Sequence, residues 1–570
     1  MMPRGSHLAL IALTILVVAC STSPTRPPAS NEPGTPALTA PDRELVIIFR
    51  GEPRTLAAKE IAPVSGFTLV SARRLFNAGL ALVDAQEVPR PYLAESLPEL
   101  NTASWELLPD GGMETRYRLR AGLTWHDGAP LTADDFVFGF KVYSAPSSNQ
   151  AGLPPINQIE AVQAPDERTV VIRWRALYAG AAGIDANGFQ PLPRHILEPL
   201  YTDDADVFAR QPFWTTDYLG AGPYRLQSWQ PGAFLEATAF ADHALGKPRV
   251  SRVKALFVED PNAALTTMLA GDAHAAIGDA VGYQRGLILR QRWAASGGGT
   301  VLTLPSIWRQ IDLQQRPDYV RPRALLDLRV RRALAYALDR QELNETIFQD
   351  GVILTDTMFS RDIGSFAALD AAATKYAYDP VRAEQLMGEA GFRRGPGGTF
   401  ADATGSVGFE LRSNGDAESI TEMEGIAGLW RRAGFEVEEL PVPPAQARTG
   451  EARGAFPTAY VGGRFVGESE LSSFTTSQIS TPENRWVGRN RSGWSTDAYD
   501  RLFDEFSRTL DRTQRTQQIA TMVRMLTDQL PTISLYFSPS TSAFVADLVG
   551  PAVAAPGSDV TWNVHEWSWR

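Results

Sequence analysis

The sequence predicts an α/β fold, and three observations predict it. Short runs rich in apolar and β-branched residues, ELVIIFR at 44–50 and PTISLYF at 531–537 among them, read as strands. Segments with apolar residues at helical spacing lie between such runs, so the two element types interleave along the chain. The helices carry their own start and stop chemistry: Asp379-Pro380 opens one with an N-cap and a proline at the first position, and Gly391 closes it.

The stretch 117–143, YRLRAGLTWHDGAPLTADDFVFGFKVY, shows strand, turn and helix in succession. Tyr117, Leu119 and Ala121 alternate with arginines, the period of a half-buried strand. Asp127-Gly128 breaks it, because glycine tolerates the positive φ of a tight turn. Thr132, with Asp135 three residues on, lets a hydroxyl and a carboxylate satisfy the free N–H groups of a helix start. Val137, Phe140 and Tyr143 then share one helical face. Asp134 and Asp135 are neighbours on that helix and point to different faces, so they read as capping residues and not as an acid–base pair.

The residues LRAGLTWHDGAPLTADDFVFGF closely resemble the signature of the family 5 bacterial extracellular solute-binding proteins, the peptide, oligopeptide and nickel receptors of ABC importers. The resemblance implies a two-lobed α/β fold of the periplasmic-binding-protein kind, type II and similar to cluster C. It also implies an extra subdomain in the first lobe and a hinge between the lobes.

Composition agrees with a soluble, exported body. The chain has 570 residues, 44% hydrophobic and 21% charged, enough for several cores. A net charge of -11 argues against a nucleic-acid partner, which needs a basic face. The single cysteine, Cys20, excludes an intramolecular disulfide. Arg4 and His7 precede the apolar run 8–18, and Ala19 leads into Cys20, the anatomy of an export signal over 1–19. The run is shorter than the roughly 20 residues of a membrane-spanning helix. VVAC at 17–20 resembles a bacterial lipobox, which implies cleavage before Cys20, lipid on its sulfur, and anchoring on the periplasmic side of the cell envelope. Residues 20–41 are proline-rich and hold too few large apolar groups to offset their ordering entropy, so they read as a tether. At about 3.1 Å per residue the tether reaches roughly 60 Å.

In chain order, the strand at 44–50 leads into GEPRTL at 51–56, similar to the family's first strand and the turn bordering its ligand cleft. Residues 67–82 read as a helix, with Leu69, Ala72, Phe76, Gly79 and Leu80 near one face. RTVVIRWR at 168–175 reads as a strand. LPRHIL at 192–197 and GAGPYRL at 220–226 resemble family elements, and the paired glycines of the latter permit a sharp reversal. That glycine run enters a strand, so it lacks the helix N-terminus of a phosphate site. A strand at 252–259, a helix at 262–269 and a strand at 275–277 follow. Asp327 caps a helix whose Val330, Leu334, Ala337 and Leu338 share a face; Ala383, Leu386, Met387 and Ala390 form the stripe of the helix after Asp379. A helix at 422–433 stops at Gly434 before a strand at 435–440. Thr496 or Asp497 opens a helix with Tyr499, Leu502, Phe503 and Phe506 inward, and Asp511 opens another with Ile519, Met522, Val523 and Leu526 inward. By resemblance the first lobe covers 42–299, with its subdomain at about 66–205; the second covers 300–510, and 511–570 returns to the first.

The sequence has no Gly-x-Ser-x-Gly elbow, no His-Glu-x-x-His helix and no Walker loop. His126, His195, His243, His274 and His565 are not at metal-ligand spacing. Neither an enzyme nor a metal or other cofactor is therefore expected. Peptide receptors of the family place an aromatic residue and an Asp near the segment 461–474, here VGGRFVGESELSSF, and the Asp receives the peptide's α-amino group. The resemblance puts Phe465 at the aromatic, Glu468 at the acid and Glu470 at a second acid. Phe stands for Trp, Glu for Asp, and the following Pro is missing. A buried acid of this kind selects for a cation, because a buried charge must be paired. Glu52 matches a cleft-lining position of peptide-binding relatives, and Trp308 in SIWRQ is placed at the cleft on a strand entering the second lobe.

Together these imply a monomeric substrate-binding lipoprotein that captures dipeptides or oligopeptides between its lobes. It then delivers them to membrane-embedded ABC permease subunits. Other cargoes, an oligosaccharide, opine or metal chelate, stay open, as do an envelope hydrolase and a receptor that signals without transport.

Overall fold

The computed structural model describes residues 43–61, 70–403, 405–447, 449–484, 486, 488–553 and 559–570. The expected signal segment, Cys20 and the tether lie outside the described residues.

Strand β1 (Leu45–Phe49) is LVIIF and almost wholly buried. Such an unbroken apolar run is what a strand covered on both faces requires. Next comes a four-stranded antiparallel sheet of β2 (Trp105–Leu107), β3 (Met113–Arg118), β4 (Ile159–Asp166) and β5 (Thr169–Trp174), in the order β2-β3-β5-β4. Its β3 buries Met113, Thr115 and Tyr117 and exposes Arg116 and Arg118. The strand therefore starts earlier than 117 and stops at Arg118.

A second, eleven-stranded sheet takes in β1, β6 (Tyr224–Gln230), β7 (Phe234–Ala239), β8 (Arg252–Phe257), β9 (Ala275–Ile277), β10 (Gly299–Leu313), β11 (Ile353–Leu354), β12 (Gly408–Asn414), β13 (Glu436–Val442), β14 (Ala459–Arg464) and β15 (Thr532–Val545). The order is β13-β12-β14-β10-β15-β9-β1-β8-β7-β6, and β11 pairs with β15 off this path. The sheet is mixed: β1 runs parallel to β8 and β9, and β12 parallel to β13 and β14, while β10 is antiparallel to both β14 and β15.

Two large cores meet this sheet. One gathers residues from Leu45 to Ile277 and again from Phe544 to Trp567, and so draws on both ends of the described chain. The other gathers Ile311 to Tyr536 and lies against a third cluster that holds Trp308, Phe474 and Phe537. Strands β10 and β15 serve both. Leu302 and Leu304 pack on the first core, and Ile311 and Leu313 belong to the second. Phe544 belongs to the first, and Ile533, Leu535 and Tyr536 to the second. Their ladder slips between Pro305 and Ile307, where Pro305 faces Pro539. Prolines donate no ladder hydrogen bond, so the pairing is weakened there, and the ladder slips once more between Arg309 and Gln310.

Several elements differ from the sequence reading. The helix expected over 67–82 is Val70–Phe76 within the described residues. It ends at Asn77, whose side-chain amide donates to the carbonyls of Arg73 (2.8 Å) and Leu56 (2.7 Å). Gly79 and Leu80 lie beyond it, outside any helix; a Cβ on Gly79 would come within 2.4 Å of the Ala186 nitrogen. The helix Ala133–Tyr143 has the expected capping box, but Phe136, Gly139 and Tyr143 are buried, while Val137 and Phe140 are only partly so. The helix expected from 422 starts at Ala417, capped by Asp416. The strand expected over 531–537 continues to Val545.

Gly220 and Gly222 owe their identity to close approach. A Cβ on either would meet the backbone of Phe76 or Asn77 at 2.0–2.4 Å. Neither has positive φ, so the reversal itself does not demand glycine.

Candidate functional site

A pocket of about 670 Å³ opens beside the end of β14. That strand supplies Gly463 and Arg464, the chain emerging from it supplies Phe465 and Glu470, and the loop before Asp497 supplies Trp486, Gly488, Arg489 and Arg491. Ile307 of β10, Gly450 and Arg453 complete the walls. Glycine at 463 is set by the fold: a Cβ there would lie 2.6 Å from the Ile307 side chain.

Arginine dominates the chemistry. Arg464 is buried and donates to both oxygens of buried Asp312 (2.9 and 3.1 Å) and to Glu470 (3.0 Å). Arg489 also donates to Glu470, and its guanidinium stands 5.1 Å over the Phe465 ring. Glu470 is therefore shared by two guanidinium groups. Arg491 has no hydrogen bond or ion pair to another side chain among the described residues. Burial lowers its pKa to about 10, the Arg464 charge adds to that, and Asp312 opposes it. It remains cationic at neutral pH. Arg464, Arg489 and Arg491 thus line the pocket against the two buried carboxylates Asp312 and Glu470, three charges to two and a surplus of positive charge.

Trp486 is held in the left-handed backbone region, φ 60°, a strained state for a bulky residue. Arg316 braces this wall: its guanidinium lies 4.4 Å from the Tyr319 ring centroid and 5.9 Å from that of Trp486, and donates to the carbonyls of Ser480 and Gly454.

The residues singled out in the sequence separate into two groups. Phe465 and Glu470 line the pocket; Phe465 is 64% exposed at its rim. The other three do not join them. Glu468 is half exposed, pairs with Arg515 and is not among the lining residues. Trp308 is 1% exposed and packs with Phe474 in the interior; this corrects its placement on the cleft surface, because a large ring on an inward strand position is taken up by packing. Glu52 accepts from the Trp229 indole (2.7 Å) and the Gly232 N–H (3.1 Å), so both of its oxygens already have donors within the fold. Sequence reasoning missed Arg453, Trp486, Arg489 and Arg491. The available signal was the recurrence of arginine in GGRF at 462–465 and GRNR at 488–491.

Among the described residues no group of three or more His, Cys, Asp or Glu side chains could hold a metal ion. No described helix is long and apolar enough to cross a membrane.

The family described as bacterial extracellular solute-binding proteins, family 5 Middle, matches residues 89–482, more than half of the chain. The chain belongs to that family. A Brucella ovis relative named for ABC transporter peptide binding is 25% identical over 294 residues, 51% of this chain and 51% of the relative, so the chain spans about half the length of such relatives. The oligopeptide-binding protein AppA of Bacillus subtilis, solved with a nonapeptide, superposes with a TM-score of 0.69 at 20% identity, covering 93% of this chain and 99% of that one. NikA of Brucella suis, solved with Fe(III)-EDTA, superposes with a TM-score of 0.74 at 17% identity, covering 93% and 100%. The fold is that of the periplasmic solute-binding proteins.

Proposed function

We propose that this chain is the substrate-binding component of an ABC importer, which captures a dipeptide or oligopeptide and hands it on chemically unaltered. The carrying observation is the pocket beside β14, built around residues 464–470 where the family's peptide receptors place their ligand aromatic and acid. Family membership and the peptide-binding names of relatives support the reading. The first lobe is the part built on the core from both ends of the described chain, and the second is the part built on the core of 311–536. The hinge is the slipped ladder where Pro305 faces Pro539. Ligand touching both lobes favours the closed form. Cys20 carries lipid and holds the monomer at the envelope membrane, within reach of its permease. The protein performs no catalysis.

Small-angle scattering with and without ligand tests this. The expected result is a smaller radius of gyration with a saturating solute recovered from native purification, and recovery of that solute intact after incubation. A hydrolysed solute, or identical curves at saturation, would refute capture by closure.

A further inference from the structure

We propose that the arginine-lined pocket beside β14 is a carboxylate subsite, in which Arg491 and Arg489 take an anionic group of the ligand. This rests on the solute-binding reading above and narrows its cargo.

The expected acid for a ligand amine is spent. Glu470, the only candidate acid that lines the pocket, is held by Arg464 and Arg489, and Glu468 is held by Arg515 outside it. An incoming ammonium group would meet a surplus of guanidinium charge. An incoming carboxylate would meet the reverse. Arg491 lines the pocket partly buried, with no hydrogen bond or ion pair to another side chain among the described residues, and a half-desolvated charge so placed gains from an anion that reaches it. Arg489 is 40% exposed and stands at the mouth, stacked on Phe465 and fixed by Glu470, so its remaining donors can meet a ligand without reorganising. Guanidinium donors match a planar carboxylate in pairs, which gives orientation as well as affinity. Trp486 and Phe465 supply apolar surface on the flanks for the rest of the ligand. The volume of about 670 Å³ suits a small solute or one end of a peptide.

The carboxylate has two sources, the C-terminus of a peptide or a free polycarboxylic acid, and four probes distinguish them. Trialanine, N-acetyl-trialanine, trialanine amide and citrate are titrated calorimetrically into the full chain, into Arg491→Gln and into Arg489→Gln. If the peptide C-terminus is bound, trialanine and its N-acetyl form bind alike, and the amide binds about tenfold to a hundredfold more weakly. Arg491→Gln then imposes a similar loss on the acids and little further loss on the amide, as expected for one shared interaction. Citrate binding alone, lost in Arg491→Gln, assigns the subsite to free polycarboxylates. Thermal melts guard against misfolding: Arg491→Gln removes an unpaired charge and keeps the parent's Tm. Equal binding of acid and amide, loss on N-acetylation alone, unchanged affinity in both variants, or no binding of any probe overturns the proposal. A chain that compacts around a neutral purified solute but ignores all four probes loses the subsite and keeps the capture reading. A chain that binds citrate through Arg491 without compaction loses capture and keeps the subsite.

Discussion

Single side chains set how this chain responds to acid. His126, from the signature stretch, bridges to the glycine turn: its Nδ1 accepts from the Gly220 N–H (3.2 Å) and its Nε2–H donates to the Gly222 carbonyl (3.0 Å). Only a neutral ring can do both. His243 is similar, with Nδ1–H donating to the Gly246 carbonyl (2.9 Å) and Nε2 accepting from the Tyr92 hydroxyl (2.7 Å). Burial lowers both pKa values to about 4. The unfolded rings titrate near 6.5, so between about 6.5 and 4 the unfolded state binds more protons than the folded one. The stability these rings contribute is complete above that window and is lost as pH falls through it, on the order of 3 kcal/mol each. Urea midpoints measured from pH 7 to pH 4 are therefore expected to fall steeply, and His243→Gln to flatten the slope even if it lowers the starting stability. An unchanged slope would show that this ring does not control acid lability.

At the scale of the element, caps decide where helices begin. Asp327 accepts from the Arg329 N–H (2.8 Å) at the head of the helix Leu328–Tyr336. Asp327→Ala is expected to cost about 1 kcal/mol at neutral pH. Hydrogen bonding from the Arg329 side chain holds the Asp327 carboxyl below its usual range. Its contribution is complete above the unfolded value near 4 and is lost as pH falls through the lower folded value. Denaturation midpoints of parent and variant should differ at pH 7 and converge in strong acid. Such caps were also what the sequence displayed most clearly. Asp327 and Asp379-Pro380 cap helices as read, Thr496 is the cap of the two residues read for its helix, Thr496 or Asp497, and Gly391 and Gly434 stop theirs with φ near +97°. Extent was less legible. The residues SPSTSAF that prolong β15 are mostly small and polar, and only their pairing with β10 makes them strand. Only a small part of the pocket was legible, for a related reason. Phe465 and Glu470 come from the chain that follows β14, whereas Arg453 comes from the short helix Gly450–Gly454 and Arg489 and Arg491 from the loop before Asp497, and these converge only in space.

Across the whole molecule, the two large cores share strands β10 and β15, whose ladder slips beside the facing Pro305 and Pro539 and again between Arg309 and Gln310. Cooperativity between cores then depends on how much of one core's loss those strands transmit. A break in the ladder transmits little, so the unliganded chain is expected to melt in at least two calorimetric transitions. Trp174 and Trp430 separate them. Trp174 is fully buried in the first core, its indole donating to the Thr115 hydroxyl (2.9 Å); Trp430 is fully buried in the second, donating to the Leu334 carbonyl (3.0 Å). Truncation of either to alanine costs about 3–5 kcal/mol locally, so each variant should lower one transition and leave the other nearly in place. A ligand that touches both halves stabilises them jointly by mass action, and its addition should raise the two transitions and draw them together. If a single transition moves equally in both variants, the ladder across Pro305 and Pro539 is rigid enough to couple the cores. Hinge motion would then have to arise elsewhere in the chain.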